Sequence, residues 1–303
     1  MKIGIAGAGA VGCHYGSMLQ QAGYDVLLLG RGEHLAALQN DGLVHESDGV
    51  PKHLTVKATN SVADIGVCDV VMICCKMIGL SAMLEELQGV VGKGALLVSL
   101  QNGVEAPDYV SSAFPYHAIA AGTAFIGARI ENPGHVIHSA AGGIRLAQWQ
   151  NGEGEVYFKP LVQALEAAGV PIRVEDDVRL MLWRKLLWNI GFNAITAITG
   201  RHARDVAAVP ETLSIIRAAM QEAVAVANAE GVALTDEDIT KHIAVTLKMG
   251  PVKTSMWQDI ETGRLTEVDY INGYVINRAD ELSLQAPTNR MLTALLHAIE
   301  GGA

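Results

Sequence analysis

The chain opens with Lys2-Ile3-Gly4-Ile5-Ala6-Gly7-Ala8-Gly9-Ala10-Val11-Gly12, a short β-type run that passes through glycines into a helical stretch from about Val11 to Gln21. Gly7, Gly9 and Gly12 match the G-x-G-x-x-G spacing. Alone that spacing is weak, because Gly- and Ala-rich stretches are common. It gains weight here by following a strand and opening a helix. Gly7 permits the tight turn, Gly9 lets the backbone approach a pyrophosphate, and Gly12 lets the helix pack on the strand. The phosphates would then sit at the helix N-terminus, with Ala10 and Val11 completing the contacting turn.

The second strand-length run, Asp25 to Leu29, ends at Gly30-Arg31-Gly32. Enzymes using NAD usually carry Asp or Glu at about this point, accepting from the ribose hydroxyls. Arg31 cannot accept a hydrogen bond, but its guanidinium suits a 2′-phosphate. The expected cofactor is therefore NADP(H), with Glu33 the residue that would speak for NAD.

Further along, Asp69 to Cys75 (DVVMICC) and Ala95 to Leu100 (ALLVSL) are apolar on both faces, as strands of a covered parallel sheet are. Ligands of such sheets bind beyond the carboxyl ends of the strands. Lys76 and Asn102, which follow these two runs, are accordingly expected in one crevice with Gly9. Residues 118–130 and 134–147 read as further β-rich segments. After Pro171 the spacing turns helical, with Pro210 and Pro287 at helix starts and Gly200 and Gly231 at helix ends. The expectation is an α/β N-terminal Rossmann-type dinucleotide-binding domain over 1–172 and an all-α substrate and catalytic domain over 173–303.

The 303 residues are half hydrophobic and carry a net charge of −10, which excludes a basic nucleic-acid surface. No run reaches the ~18 apolar residues needed to span a bilayer, and no signal peptide is visible at the start, so a cytoplasmic protein is expected without a membrane partner. The apolar faces of the helical half would serve a homodimer or a monomeric core equally well. Cys13, Cys68, Cys74 and Cys75 form no C-x-x-C pair and read as buried structural thiols. His135 and His138 alternate on a probable strand but lack a carboxylate or cysteine at ligand spacing, so no metal site is expected. His14 reads as structural or near the phosphates.

The most informative segment is residues 183–200, WRKLLWNIGFNAITAITG. Lys185, Asn189 and Asn193 stand at i, i+4 and i+8 on one stripe of a helix that is otherwise apolar almost all round. A buried lysine and two buried asparagines need partners. Residues 253–274, KTSMWQDIETGRLTEVDYINGY, concentrate Ser255, Asp259, Glu267, Asp269 and Asn272, and alone would pass for a solvated helix–loop–helix.

Taken together, GAGAVG, Gly30-Arg31, Lys76, the LQNG around Asn102, K-x3-N-x3-N and the 254–274 segment resemble the ketopantoate reductase family over essentially the whole chain. The resemblance implies an NADPH-dependent reduction of 2-dehydropantoate to (R)-pantoate, a step toward pantothenate and coenzyme A. It implies Lys185 as general acid on the keto oxygen, and Glu267 as the group that hydrogen-bonds the substrate hydroxyl and orients Lys185. Asn189, Asn193 and Ser255 would hold the substrate, Asn102 and Lys76 the junction of nicotinamide and substrate, and Arg31 the 2′-phosphate. Two alternatives stand beside it. One is the same chemistry on another branched 2-keto acid; the other is a non-catalytic NADP(H)-binding sensor.

Overall fold

The computed structural model describes residues 1–301. The chain divides into two compact units, Met1–Gln101 with Glu105–Val178, and Asn102–Val104 with the chain from Arg179 onward.

The first unit runs β1 (Lys2–Ala6), α1 (Ala10–Gln21), β2 (Asp25–Leu29), α2 (Gly32–Asn40), β3 (Leu43–Ser47), β4 (Val50–Leu54), β5 (Lys57–Thr59), α3 (Val62–Ile65), β6 (Val70–Ile73), α4 (Leu80–Gln88), β7 (Leu96–Ser99), α5 (Ala106–Ala113), β8 (Ile119–Asn132), β9 (His135–Gln150), α6 (Phe158–Ala167) and β10 (Ile172–Val174). Its ten-stranded sheet has the order β4-β3-β9-β8-β7-β6-β1-β2-β5, with β10 beside β9. The strands β7, β6, β1, β2 and β5 pair in parallel, in register from Ile3 against Val26 and Val70. Every residue of β6 and β7 is buried, as parallel strands covered on both faces must be. Ile3, Ile5, Val26, Leu28, Val70, Met72 and Val98 lead this core.

The fit of α1 onto the sheet follows from its glycines. A Cβ on Gly12 would lie 2.2 Å from the Gly7 carbonyl oxygen, and one on Gly16 would lie 2.7 Å from Leu28. The helix therefore approaches the strands more closely than any alanine would allow.

Four strands, β3, β4, β5 and β10, go beyond the sequence expectation, the last lying at Ile172–Val174 beside β9, where the spacing was expected to turn helical. The first two form an antiparallel hairpin on the rim of the sheet. All but the last residue of β4 are exposed, so no buried periodicity marks that strand. The turn does carry a signal. Asp48 and Gly49 both have positive φ, 52° and 75°, as a two-residue type I′ turn demands, and Asp-Gly is its favoured dipeptide. A second correction concerns Asp69 to Cys75, because β6 stops at Ile73. At that strand end the Gln101 side chain adds to the backbone bonds: its Nε2 donates to the carbonyls of Ile73 (2.7 Å) and Cys75 (3.1 Å).

The second unit is helical: α7 (Val178–Thr199), α8 (Ala203–Ala207), α9 (Pro210–Ala229), α10 (Asp236–Lys248), α11 (Ser255–Glu261), α12 (Val268–Glu281) and α13 (Pro287–Glu300). Pro210 and Pro287 each open a helix, where a missing N–H costs nothing. Fifteen of the 22 residues of α7 are buried, so it is the central rod of this unit. Gly191 makes room for α9, since a Cβ there would meet Met220 at 2.4 Å. A buried polar cluster ties four helices together. Asn272 Nδ2 donates to Asn289 Oδ1 (2.9 Å) and to the Ile190 carbonyl (3.4 Å), and Asn289 Nδ2 donates to Glu222 (2.7 Å). Removing one member would strand its partners at a cost of about 1–3 kcal/mol.

Candidate active site

In the first unit, the glycine turn is built from backbone bonds. The Gly7 and Ala8 amides both donate to the Leu29 carbonyl at the end of β2 (3.2 and 2.7 Å), and the Cys74 amide donates to Ala6 (2.9 Å). Gly7 has φ +117°, and a Cβ there would lie 2.6 Å from the Cys75 amide nitrogen, so only glycine fits. Gly9 is different: a Cβ would meet nothing within 4 Å. Gly9 is also the N-cap of α1, and no side chain caps that helix. A helix N-terminus with uncapped amides of this kind, opening onto free space, is suited to a pyrophosphate.

Arg31 is exposed at the N-cap of α2, two residues past the carbonyl that anchors the glycine turn. Lys76 is exposed at the carboxyl end of β6, directly after the backbone that packs on Gly7. These residues fit a dinucleotide: open space at Gly9, uncapped amides at Ala10 and Val11, and a guanidinium at the end of β2.

In the second unit, Asn189 and Asn193 are each only 2% exposed, and Lys185 is half-buried on the same helix. Burial pushes the Lys185 ammonium down to about 8, because a charge is poorly solvated there. Its Nζ lies 5.4 Å from the centre of the Trp188 ring. Glu267, at the start of α12, is buried, and its carboxylate accepts from Asn102 Nδ2 at 3.2 Å. Asn102 Oδ1 in turn takes a long 3.5 Å contact from Asn189 Nδ2. The segment Asn102–Val104 therefore groups with the helices, and it links α7 to the head of α12. Asn193 Oδ1 is buried and makes no protein hydrogen bond, an orphaned acceptor that a ligand hydroxyl would satisfy.

The 253–274 stretch is not the solvated pair its composition implies. Asp259, Glu267 and Asn272 are buried, while Ser255 and Asp269 are exposed. Ser255 stands at the start of α11, and its neighbour Thr254 bonds Thr196 of α7 at 2.7 Å, which fixes that helix start against the Asn193 turn. Asp259 is buried beside Arg264 (3.4 Å).

Two features escaped sequence reasoning. Gln101 clasps the carboxyl ends of β6 and β7, its Oε1 also accepting from Ser99 (2.7 Å); a glutamine after an apolar strand gives no local hint of this. The second is a histidine group in the first unit. His14 Nδ1 and His45 Nε2 share a 3.0 Å hydrogen bond, and the His14 and His138 rings stack with centroids 4.4 Å apart. Burial and the neighbouring histidines hold His14 down to about 3. These residues are far apart in sequence: the pairing of β3 with β9 brings His45 near His138, and the packing of α1 on those strands adds His14. His135 instead meets Glu46 at 3.2 Å. Among the described residues, no group of three or more His, Cys, Asp or Glu is arranged to hold a metal ion. Burial raises the Cys13 thiol to about 12 and raises Cys74 as well, so neither is a ready nucleophile.

Comparison with known proteins gives this geometry its family. Residues 3–151 match the family model Ketopantoate reductase PanE/ApbA, and residues 177–300 match Ketopantoate reductase PanE/ApbA C terminal. The chain belongs to the ketopantoate reductase family. It is an oxidoreductase with an α/β Rossmann-type domain followed by an all-α domain. Among its relatives, the 2-dehydropantoate 2-reductase of Streptococcus pyogenes serotype M1 is 30% identical, over 99% of this chain and 98% of the relative. That of Nostoc sp. is 29% identical, over 99% and 95%. The solved PanE/ApbA family ketopantoate reductase of Ralstonia eutropha superposes with a TM-score of 0.91 at 34% identity, covering 100% of this chain and 99% of that one. D-mandelate dehydrogenase, solved with NADH and anilino(oxo)acetate, gives 0.92 at 28% identity with the same coverage. No helix of the described residues is long and apolar enough to cross a membrane.

Proposed function

We propose that the protein reduces 2-dehydropantoate to (R)-pantoate with NADPH, the step that supplies pantoate for pantothenate and coenzyme A. The observation that carries this reading is the polar line on the second unit: Lys185 on α7, with Asn189, Asn102 and Glu267 bonded in series beside it.

The dinucleotide, when bound, supplies the hydride. Gly7, Gly9, Ala10, Val11 and Gly12 hold its pyrophosphate, Arg31 its 2′-phosphate, and Lys76 and Asn102 help seat the nicotinamide end. Lys185 Nζ hands a proton to the keto oxygen. With its ammonium brought down to about 8, it is charged at neutral pH yet a far better acid than an exposed lysine. The same charge stabilises the developing alkoxide. Glu267, already committed to Asn102, turns its remaining acceptor capacity to the substrate hydroxyl and orients Lys185. Asn189, Asn193 and Ser255 fix the carboxylate and hydroxyl, the unpartnered Asn193 Oδ1 being the natural acceptor.

A second reading keeps the chemistry and changes the substrate. The similarity to D-mandelate dehydrogenase, at 28% identity and with NADH in its site, favours a wider range of 2-keto acids and a looser cofactor preference. Steady-state oxidation of NADPH and NADH, side by side, over a panel of 2-keto acids separates the two. The leading reading predicts 2-dehydropantoate as the best acceptor, with NADPH preferred. A kcat/KM for 2-dehydropantoate no higher than that for 2-ketoisovalerate would reject it.

A further inference from the structure

We propose that Trp188 is a positioning residue for Lys185, its indole locked by Thr246 so that the lysine is held in place and in its ammonium form. The inference rests on the reading of Lys185 as proton donor, and it concerns residues outside the Asn102–Glu267 line.

Lys185 and Trp188 stand three apart on α7, the spacing that places one side chain over the other, since helical side chains lean toward the N-terminus. The structure realises this: Nζ is 5.4 Å from the ring centre, within the reach of a cation–π contact. Trp188 is 7% exposed, so the contact is shielded from water. A ring in this position could simply be core, but its polar edge is specifically fixed. Nε1 donates to Thr246 Oγ1 at 3.0 Å, and that hydroxyl donates to the His242 carbonyl at 2.8 Å. A hydroxyl has one proton, so giving it to the carbonyl leaves a lone pair for the indole and sets both orientations. Phe192 packs on the same ring with centroids 5.3 Å apart, tilted by 33°. The ring is pinned at its edge and on its face.

Titratable groups on the packed elements include His242, Asp238 and Glu267. His242 of α10, whose titration feels Lys185, is kept neutral by burial, down to about 4. Asp238 of α10 is engaged by Arg184 at 3.0 Å. Glu267 at the head of α12 accepts from Asn102. Burial lowers the lysine's affinity for its proton, and the aromatic face opposes that drift.

The test is the pH dependence of kcat for NADPH-driven reduction of 2-dehydropantoate by the full chain. It would use the native protein, Trp188→Leu, Trp188→Phe, Thr246→Val, Thr246→Ser and, as reference, Lys185→Ala. Loss of the indole should move the alkaline limb of the profile to lower pH by about half a unit and lower kcat several-fold, while KM for NADPH stays unchanged. Trp188→Phe should fall between native and Trp188→Leu. Thr246→Val should move the limb the same way, and Thr246→Ser should restore it. Should Trp188→Leu fail to fold, the Thr246 pair carries the test, because Val is nearly isosteric with Thr. An unmoved limb in Thr246→Val and in every folded Trp188 variant, with Lys185→Ala inactive, would overturn this inference alone. Full turnover in Lys185→Ala would overturn the reading of Lys185 and this inference with it.

Discussion

The glycine turn at residues 7–12 and the polar line of the second unit are assembled by opposite strategies. The turn is local. Most of its constraints come from nearby backbone, from Gly7 against Leu29 and from Gly12 against the Gly7 carbonyl, and the one distant constraint is the Cys74–Cys75 backbone after β6, which closes on Gly7. The polar line is long-range: Asn102 reaches Glu267 across 165 positions and Asn189 across 87. A turn set by backbone tolerates almost no change of residue but needs no particular partner. A line set by side chains tolerates change at each position in proportion to what that group alone contributes. Variants should therefore separate cleanly, with cofactor effects from the first region and turnover effects from the second.

The largest expected effect is on the second region. Lys185→Ala should lower kcat by about a thousandfold, the usual range for a lost general acid, with NADPH binding, followed by fluorescence titration, unchanged. Equal loss of both would mean that Lys185 is structural and would erase the contrast. The native pH profile sharpens the same point. With the ammonium as the proposed proton donor, kcat should be level below about pH 8 and fall as pH rises through it, where an exposed lysine would hold until above pH 10.

Arg31→Ala tests the first region. It should raise KM for NADPH by about ten- to a hundredfold, the range of a lost charged hydrogen bond, and leave KM for NADH and kcat alone. Similar losses with both dinucleotides would remove the basis for NADP(H). Asn102→Ala should have a smaller effect, about tenfold in kcat/KM for the keto acid, through a Glu267 that has lost its 3.2 Å donor. The smallest effect serves as a control. Gly49→Ala, in the β3–β4 hairpin turn, should lower stability by about 1 kcal/mol in urea unfolding and leave both kinetic constants untouched.

The parts of the molecule that were legible in the sequence share a physical property. Strands β1, β2, β6 and β7 are apolar along most of their length because both their faces are covered, and helix ends at Gly200, Pro210, Gly231 and Pro287 use residues with unusual backbone freedom or restriction. The rim hairpin was not legible by periodicity, since β4 buries almost nothing. The 253–274 stretch reads as solvated because its polar residues are indistinguishable, by composition, from surface ones. Burial of Asp259, Glu267 and Asn272 depends on the helices packed over them.

By itself, the sequence determined the glycine turn, the arginine at the end of β2, and a lysine and two asparagines on one helical stripe. Each follows from steric limits or from the 3.6-residue period, which act over a few residues. Only the tertiary structure decided that Asn102 joins Glu267 and Asn189, that Gln101 ties the carboxyl ends of β6 and β7, and that Thr246 fixes the indole beside Lys185. Hydrogen bonds of that kind join residues whose separation along the chain carries no information about distance in space, so they exist only once the chain has packed.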